Sequence, residues 1–389
     1  MSKTLTEIAE QLQATDKKVQ LIYAFNGSGK TRLSREFKEL LASKINEEDG
    51  DEASSSEMSR KNILYYNAFT EDLFYWDNDL DGDEHRKLKI HPNAFTKWVL
   101  EEQGQGNNIA SNFQRLTNSI IEPRFSADFS EVSLVMRGDD QNKPIKISKG
   151  EESNLIWSVF YSLLYLIKEE RNISEPENRS TNDFDALEYI FIDDPVSSLD
   201  ENHLIQLAVD LAALIKSSYY PSSGSGLKFI ITTHSPTFYN VLHNELGLNK
   251  KGKKEGCYLL EKLEDGSHRL DTKYGDSNMS FSYHLHLKQT LEHATKNNLV
   301  ERHHFTLLRN LYEKTASFLG YPEWGKLLES APGDKQGYLN RIIQFTSHNT
   351  LTGEALPEPT PPEKQMVKLL LDNLIDNYSY WKQEAKNDQ

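Results

Sequence analysis

Short apolar runs bounded by turn residues recur along the first two thirds of the chain, at residues 19–25 (VQLIYAF), 63–67 (ILYYN), 132–136 (VSLVM), 189–192 (YIFI), 229–232 (FIIT) and 258–260 (YLL). Runs of this length predict buried strands. Between them, residues 32–41 (RLSREFKELL), 155–167 and 204–215 carry the 3.6-residue period of amphipathic helices. Strands separated by helices predict an α/β domain over residues 1–265. Beyond residue 281 the pattern is helical throughout, with Gly320 ending one helix (305–321) and the Pro-rich LPEPTPPE (356–363) separating two others. A mainly α-helical domain over residues 266–389 is therefore expected. Residues 43–57 (SKINEEDGDEASSSE) have no apolar face to bury and read as a flexible acidic insert. The aromatic stretch 68–76 (AFTEDLFYW) either covers the core or forms a partner surface.

Composition narrows the classes. A chain of 389 residues suits two or three domains and is long enough for a substantial core. Its one cysteine, Cys257, excludes an intramolecular disulfide framework and a cysteine-cluster zinc site. No apolar run approaches the ~20 residues of a membrane span, and the polar start MSKTLTEIAEQL lacks a signal peptide's apolar core. A cytoplasmic protein without membrane contact is expected. The 44 Lys+Arg against 59 Asp+Glu give a net charge of −15, which excludes a nonspecific nucleic-acid coat. That charge is unevenly spread. From Gly266 onward, 14 Lys+Arg stand against 15 Asp+Glu, and seven of the twelve histidines fall there. The C-terminal part can approach an anionic substrate.

Four motifs carry chemistry in the first domain. AFNGSGKT (24–31) follows a strand and opens a helix, the context of a phosphate-binding loop. Asn26, Gly27, Ser28 and Gly29 would bring backbone N–H groups to phosphate oxygens, Lys30 would reach the β- and γ-phosphates, and Thr31 would ligate Mg²⁺. YIFIDDPVSSLD (189–200) ends a strand in Asp193, positioned for Mg²⁺, and Asp194, where a water-activating carboxylate belongs. FIITTHSP (229–236) puts His234 past a strand end, where it could sense a γ-phosphate, and ISKGEE (147–152) offers Ser148, Gly150 and a helix N-terminus to anionic oxygens. Read singly, the carboxylates could cap a helix and His234 a turn. Their order along the chain at strand–loop–helix junctions favours a nucleotide site.

This set resembles the ABC-type ATPases, P-loop NTPases in which the signature motif of one protomer caps the nucleotide of another. The resemblance implies bound ATP or GTP with Mg²⁺ and a homodimer of heads or a higher oligomer. It assigns ISKGEE to the signature and Ser198–Leu199–Asp200 to the dimer contact. Asp194 stands where that family usually has glutamate, which suits slow or switch-like hydrolysis. Asn67 is a weak counterpart of the usual Q-loop glutamine. The interval between Thr31 and Ser148 is too short for coiled-coil arms and carries no sustained heptads.

In the C-terminal part, Arg309 and Glu313 sit at i and i+4 on one helix face, and His348 lies in QFTSHNTL near a helix end. An exposed ion pair and a capping histidine would be the ordinary reading of these residues. The whole chain, however, is similar to the bacterial anticodon nucleases of the PrrC type, through IYAFNGSGKTRLSREFK, YYNAFTEDLFYWDNDL, SKGEESNLIWSVFY, FIDDPVSSLD, KFIITTHSP, KYGDSNMSFSYHLHLKQT and RNLYEKTASFLGYP. That resemblance implies a metal-independent ribonuclease triad at Arg309, Glu313 and His348, and substrate recognition at Asp276. It further implies cleavage of a tRNA anticodon loop, typically of lysine tRNA at the wobble position, to leave 2′,3′-cyclic phosphate and 5′-OH ends. A type I restriction–modification complex is the implied latency partner, in defence against phage. The rival expectations are a repair-type ABC ATPase whose helical tail binds a partner or DNA, and a defence ATPase that delivers a separate nuclease.

Overall fold

The computed structural model describes residues 2–48, 62–67, 74–78, 86–90, 98–138, 145–196, 199, 201–221, 226–248, 256–263, 265–273, 283–346, 358–378 and 380. The chain forms two compact units, Met1–Asp276 and Ser277–Gln389.

In the first unit, α1 (Leu5–Ala14) is opened by a capping box. Thr4 accepts from the Glu7 amide at 3.1 Å, and the Glu7 carboxylate accepts from the Thr4 amide at 2.7 Å. The chain then enters β1 (Val19–Ala24), all six residues of which are buried. Its place explains this: β1 lies inside a six-stranded sheet whose order is β10 (His268–Thr272), β9 (Gly256–Lys262), β1, β8 (Lys228–Thr233), β7 (Tyr189–Asp193) and β2 (Ile63–Asn67). All neighbours pair in parallel except β10, which runs antiparallel to β9. Strands of parallel sheets are covered on both faces and read as continuous apolar runs.

One face takes Leu5, Ile8 and Leu12 of α1 and Leu33 and Phe37 of α2 (Lys30–Glu48), packed on Ile22, Phe191, Ile230 and Leu260. Each such side chain contributes roughly 1.5–3 kcal/mol by leaving water. On the other face Tyr23 meets Tyr239 edge-on, with ring centroids 6.0 Å apart.

A second, antiparallel sheet has the order β3 (Phe74–Asn78), β4 (Arg86–Ile90), β6 (Glu131–Met136), β5 (Ile121–Phe125). It includes Phe74–Trp76 of the aromatic stretch; residues 68–73 of that stretch lie outside the described residues. Between β4 and β5 in sequence, α3 (Gly106–Thr117) buries Ile109, Phe113 and Leu116. The remaining helices of this unit are α4 (Lys149–Asn172), α5 (Glu201–Ser217) and α6 (Pro236–Glu245).

Two sequence expectations need correcting. The acidic insert was placed at residues 43–57, yet α2 continues through Glu48. Lys and Glu are good helix formers, and net charge alone does not end a helix; residues 49–57 lie outside the described residues. The domain boundary at residue 265 falls in the turn between β9 and β10, where Gly266 takes φ +81°. Five residues of β10 pair with β9, and His268 also bridges to Lys3, so the unit extends to Asp276. Dividing the hairpin would leave its ladder unpaired.

The second unit is helical as expected, built from α7 (Tyr283–Lys296), α8 (Arg302–Leu319), a 3₁₀ segment (Trp324–Ser330), α9 (Lys335–Thr346) and α10 (Pro361–Asn377). Helix α8 is its hub. Phe305, Leu308, Leu311 and Tyr312 join Leu287 and Leu291 of α7, Ile342 and Phe345 of α9, and Val367, Leu370 and Leu374 of α10 in one core. Phe305 and Phe345 stack with centroids 4.2 Å apart, and the buried Tyr312 hydroxyl donates to the Leu370 carbonyl at 2.8 Å. Gly320 ends α8 in the left-handed region, with φ +77°. Among the described residues, no helix is long and apolar enough to cross a membrane.

Candidate functional site

Because β1, β7 and β8 are parallel neighbours, the three loops that leave their C-terminal ends emerge along one edge of the sheet. Residues far apart in sequence meet there. Register pairs Tyr23 with Thr233 and Asp193 with Thr232, which brings both motif loops beside the phosphate-binding loop.

The loop between β1 and α2 turns on Gly27 (φ +80°) and Gly29 (φ +96°). At Gly29 the positive φ favours glycine, and an added Cβ would also stand a tight 3.1 Å from the His268 ring. Ser28 donates from its hydroxyl to the Phe25 carbonyl at 2.5 Å. Lys30 is buried at the start of α2. Its ammonium donates to the carbonyls of Ala24 (3.3 Å) and Phe25 (3.4 Å) and to Asn26 Oδ1 (3.3 Å), and lies 3.4 Å from Asp194 Oδ2. Thr31 donates to Asp193 Oδ2 at 2.8 Å, while Thr232 donates to Asp193 Oδ1 at 2.5 Å.

Asp194 sits in the left-handed region at φ +51°, a conformation uncommon for non-glycine residues and tolerated best by Asn and Asp. The turn aims its carboxylate at His234, whose Nδ1 is 2.6 Å from Oδ2 and whose amide donates to Oδ1 at 3.3 Å. Thr233 adds a longer contact at 3.4 Å. The two carboxylates respond oppositely. Burial pushes Asp193 up, against the pull of Thr232 and Thr31. Burial also pushes Asp194 up, but the His234 hydrogen bond and the Lys30 charge outweigh it and hold Asp194 below the usual carboxylate range.

These residues suit a nucleotide with Mg²⁺. The positive-φ loop and the α2 N-terminus would present backbone N–H groups to anionic oxygens, and a hydroxyl already paired with a carboxylate is an all-oxygen set appropriate to a hard cation. Asn26, Gly27, Ser28, Gly29, Lys30, Thr31, Asp193, Asp194 and His234 are thus brought together. Ser148 and Gly150 are at the N-terminus of α4. There Ser148 is exposed and forms a capping box with Glu151, accepting from its amide at 3.2 Å. The side chain of Asn67 is not described; its backbone lies opposite Asp193 in the β2–β7 ladder. Ser198, Asp200 and Asp276 lie outside the described residues.

Three participants escaped the sequence reading. Thr232 and Thr233 were visible as hydroxyls within FIITTHSP, but their acceptors lie on another strand. His268, on β10, had no local signal. It is buried beside Gly29, and its Nε2 has no hydrogen-bond partner among the described residues. Burial, with Arg32 and Lys262 nearby, holds its proton affinity below the usual histidine range. The unfolded chain therefore binds a proton below pH ~6.5 that the folded unit resists. Stability of the first unit should be fully present above that pH and fall as pH drops below it, by at most ~1.4 kcal/mol per pH unit. Melting curves from pH 8 to 5 should show this acid limb flattened in His268→Gln.

The second unit carries a separate cluster. On α8, Arg309 Nε donates to Glu313 Oε1 at 2.8 Å, and both side chains are partly exposed. Arg309 Nη1 also donates to Thr346 Oγ1 at 3.0 Å, joining α8 to the last residue of α9. Its guanidinium carbon stands 6.0 Å from the Trp324 ring centroid. His348, two residues after Thr346 in the sequence, lies outside the described residues. Thr346 and Trp324 were not anticipated, since only tertiary packing brings them to the pair.

The matches to known proteins run across both units. The model of a family described as an AAA domain matches residues 113–352, a stretch that contains Asp193, Asp194 and His234. The crystal structure of an SMC head bound to the C-winged-helix domain of ScpA matches at a TM-score of 0.33 and 12% identity, over 68% of this chain and 93% of that one. At that TM-score the resemblance carries no argument. An anticodon nuclease of Escherichia coli is 60% identical over 409 aligned residues, covering 100% of both chains. With identity at that level from end to end, the chain belongs to the anticodon nuclease family.

Proposed function

We propose that the protein is a nucleotide-regulated endoribonuclease that cuts tRNA within the anticodon loop. What most supports this reading in the structure is the Arg309–Glu313–Thr346 set. It ties a guanidinium and a carboxylate to the end of α9, two residues before His348. Cleavage by a neighbouring 2′-hydroxyl needs a base for its proton, an acid for the departing 5′-oxygen, and a cation beside the crowded phosphorus. Glu313 and His348 supply the acid–base pair in either order, and Arg309 the charge. The 2′-oxygen bonds to phosphorus and the bond from phosphorus to the 5′-oxygen breaks. One proton passes to the base and another reaches the 5′-oxygen. The ends are a 2′,3′-cyclic phosphate and a 5′-hydroxyl, and the balance requires no metal at this site.

In the first unit, ATP or GTP would be held with Mg²⁺ by residues 26–31 and Asp193. The bound nucleotide supplies affinity that differs between separate and joined heads. Ser148 and Gly150, at the exposed start of α4, would cap the site of a second copy, head to tail. Asp194, held by Lys30 and His234, is a weaker base than a free carboxylate, which suits slow, switch-like hydrolysis. Asp276 would accept hydrogen bonds from base amino groups of an unstacked loop. The family resemblance supports lysine tRNA cut at the wobble position, latency imposed by a type I restriction–modification complex, a cytoplasmic setting and release on phage infection.

Purified protein incubated with total tRNA should yield one class of new 5′-hydroxyl ends, mapping to the anticodon loop, with matching 2′,3′-cyclic phosphates. His348→Ala should lose at least ~100-fold in rate. Undiminished cleavage by that variant would remove His348 from the site. ATP-dependent DNA binding without RNA cleavage would favour the repair-type alternative.

A further inference from the structure

The face of α8 that carries Glu313 continues through Ala316 and Ser317, at i+3 and i+4. These three residues form one wall of a cleft of about 590 Å³. Past the Gly320 cap, Tyr321, Glu323 and Trp324 also line the cleft, as do Leu339 and Ile343 of α9. The volume is within the ~300–1,000 Å³ of ligand-binding clefts. The lining is unusual for a leftover gap between helices. It offers two aromatic rings, two carboxylates and an aliphatic floor, and Tyr321 and Ile343 remain 41% exposed.

Glu313 belongs both to this wall and to the ion pair with Arg309, and the Arg309 guanidinium lies over the Trp324 ring. Whatever stacks in the cleft therefore lies immediately beside the cation. A nucleobase meets each feature. Its π-face stacks on an indole or phenol whatever its sequence. Its amino and imino edges donate to carboxylates such as Glu323, and its own phosphate would reach Arg309. An apolar peptide side chain would use the rings but would leave two carboxylates facing it.

We infer that this cleft binds one unstacked base of a nucleotide flanking the scissile phosphodiester, with Trp324 as the stacking platform. The inference rests on the ribonuclease reading and adds to it a base-binding subsite. Splaying one base out of the loop costs stacking within the RNA. The cleft returns that stacking on the protein while it seats the adjacent phosphate against Arg309 and Glu313.

The test uses the full chain and anticodon stem–loop hairpins that are intact or abasic at either nucleotide flanking the cut. Removing the base that occupies the cleft should lower kcat/KM by ~10–100-fold, the range of one base–aromatic stack. Trp324→Ala should reduce cleavage of the intact hairpin by a similar factor and lose nothing further on the abasic one. Trp324→Phe should recover most of the loss. Because Trp324 packs against the core, Ile343→Trp serves as a second variant that fills the cleft from an exposed position without leaving a cavity. It should reproduce the Trp324→Ala pattern.

Binding of the same hairpins with a 2′-deoxy nucleotide at the cut, which removes the nucleophile, is measured in parallel. If the protein cleaves RNA yet both variants keep the normal intact-to-abasic ratio, the subsite is overturned, as it would be if the cleft holds a partner's side chain. If no hairpin is cleaved, the ribonuclease reading falls. The deoxy hairpins then decide the subsite: base-dependent binding lost in both variants upholds it, and base-independent binding overturns it.

Discussion

Glu313→Gln protein should cleave its RNA at least ~100-fold more slowly than the unaltered chain, while melting within a degree or two of it. The two readouts separate the explanations of the Arg309–Glu313 pair. An exposed i,i+4 ion pair contributes only ~0.3–0.5 kcal/mol to stability, and its loss cannot slow a chemical step. A group that moves a proton in the transition state contributes ~10²–10⁴ in rate. Arg309→Lys should fare little better than Arg309→Ala. The guanidinium uses its Nε on Glu313 and its Nη1 on Thr346, with its carbon 6.0 Å from the Trp324 ring centroid; a lysine ammonium retains the charge but cannot make that set of contacts. Single-turnover cleavage and thermal melts of the three variants check this. A rate for Glu313→Gln equal to that of the unaltered protein would reduce the pair to a surface salt bridge.

Lys30→Ala should abolish the stabilisation conferred by nucleotide. A ligand at 100 times its Kd stabilises the folded state by ~2.7 kcal/mol, which appears as an upward shift of several degrees in the melting of the first unit. The variant should show none of it, and its RNA cleavage should no longer respond to ATP or GTP. The substitution has its own cost, because Lys30 is buried against the equally buried Asp194. Removing the ammonium from beside that buried carboxylate, which keeps its hydrogen bond to His234, costs roughly 1–3 kcal/mol. Thr31→Ala keeps the buried pair and loses the hydroxyl on Asp193, so it should weaken Mg²⁺-dependent binding with a smaller change in the melting of the nucleotide-free protein. Equal nucleotide-induced shifts in Lys30→Ala and the unaltered chain would contradict the assignment of the loop.

How much was legible beforehand depended on how local each feature is. The strands at 63–67, 189–193 and 228–233 and the helix ending at Gly320 were readable from short windows, because a strand covered on both faces must be apolar without interruption and a glycine beyond the last turn ends a helix. The edge strand β10, HRLDT, was not readable. Only its antiparallel pairing with β9 defines it, and the domain boundary was consequently placed too early. The four-stranded sheet was missed for a similar reason: β4, RKLKI, and β5, IEPRF, are rich in polar residues in the sequence, and their order is imposed by partners elsewhere in the chain.

The same division holds for chemistry. The phosphate-binding loop is one strand, one turn and one helix, so residue types at fixed spacing are enough to specify it, down to the two glycines whose positive φ the turn requires. Arg309 and Glu313 are likewise one helical turn apart, and their pairing follows from the pitch of the helix. The pairing of Asp194 with His234, 40 residues apart, follows from the parallel sheet, which brings the ends of β7 and β8 together. His268 against Gly29, Thr346 on Arg309, and the aromatic cleft beside Glu313 depend on packing between elements. Backbone geometry transmits order over a turn or two of chain. Over longer separations, position is decided by which buried faces fit together, and no short window of sequence contains that fit.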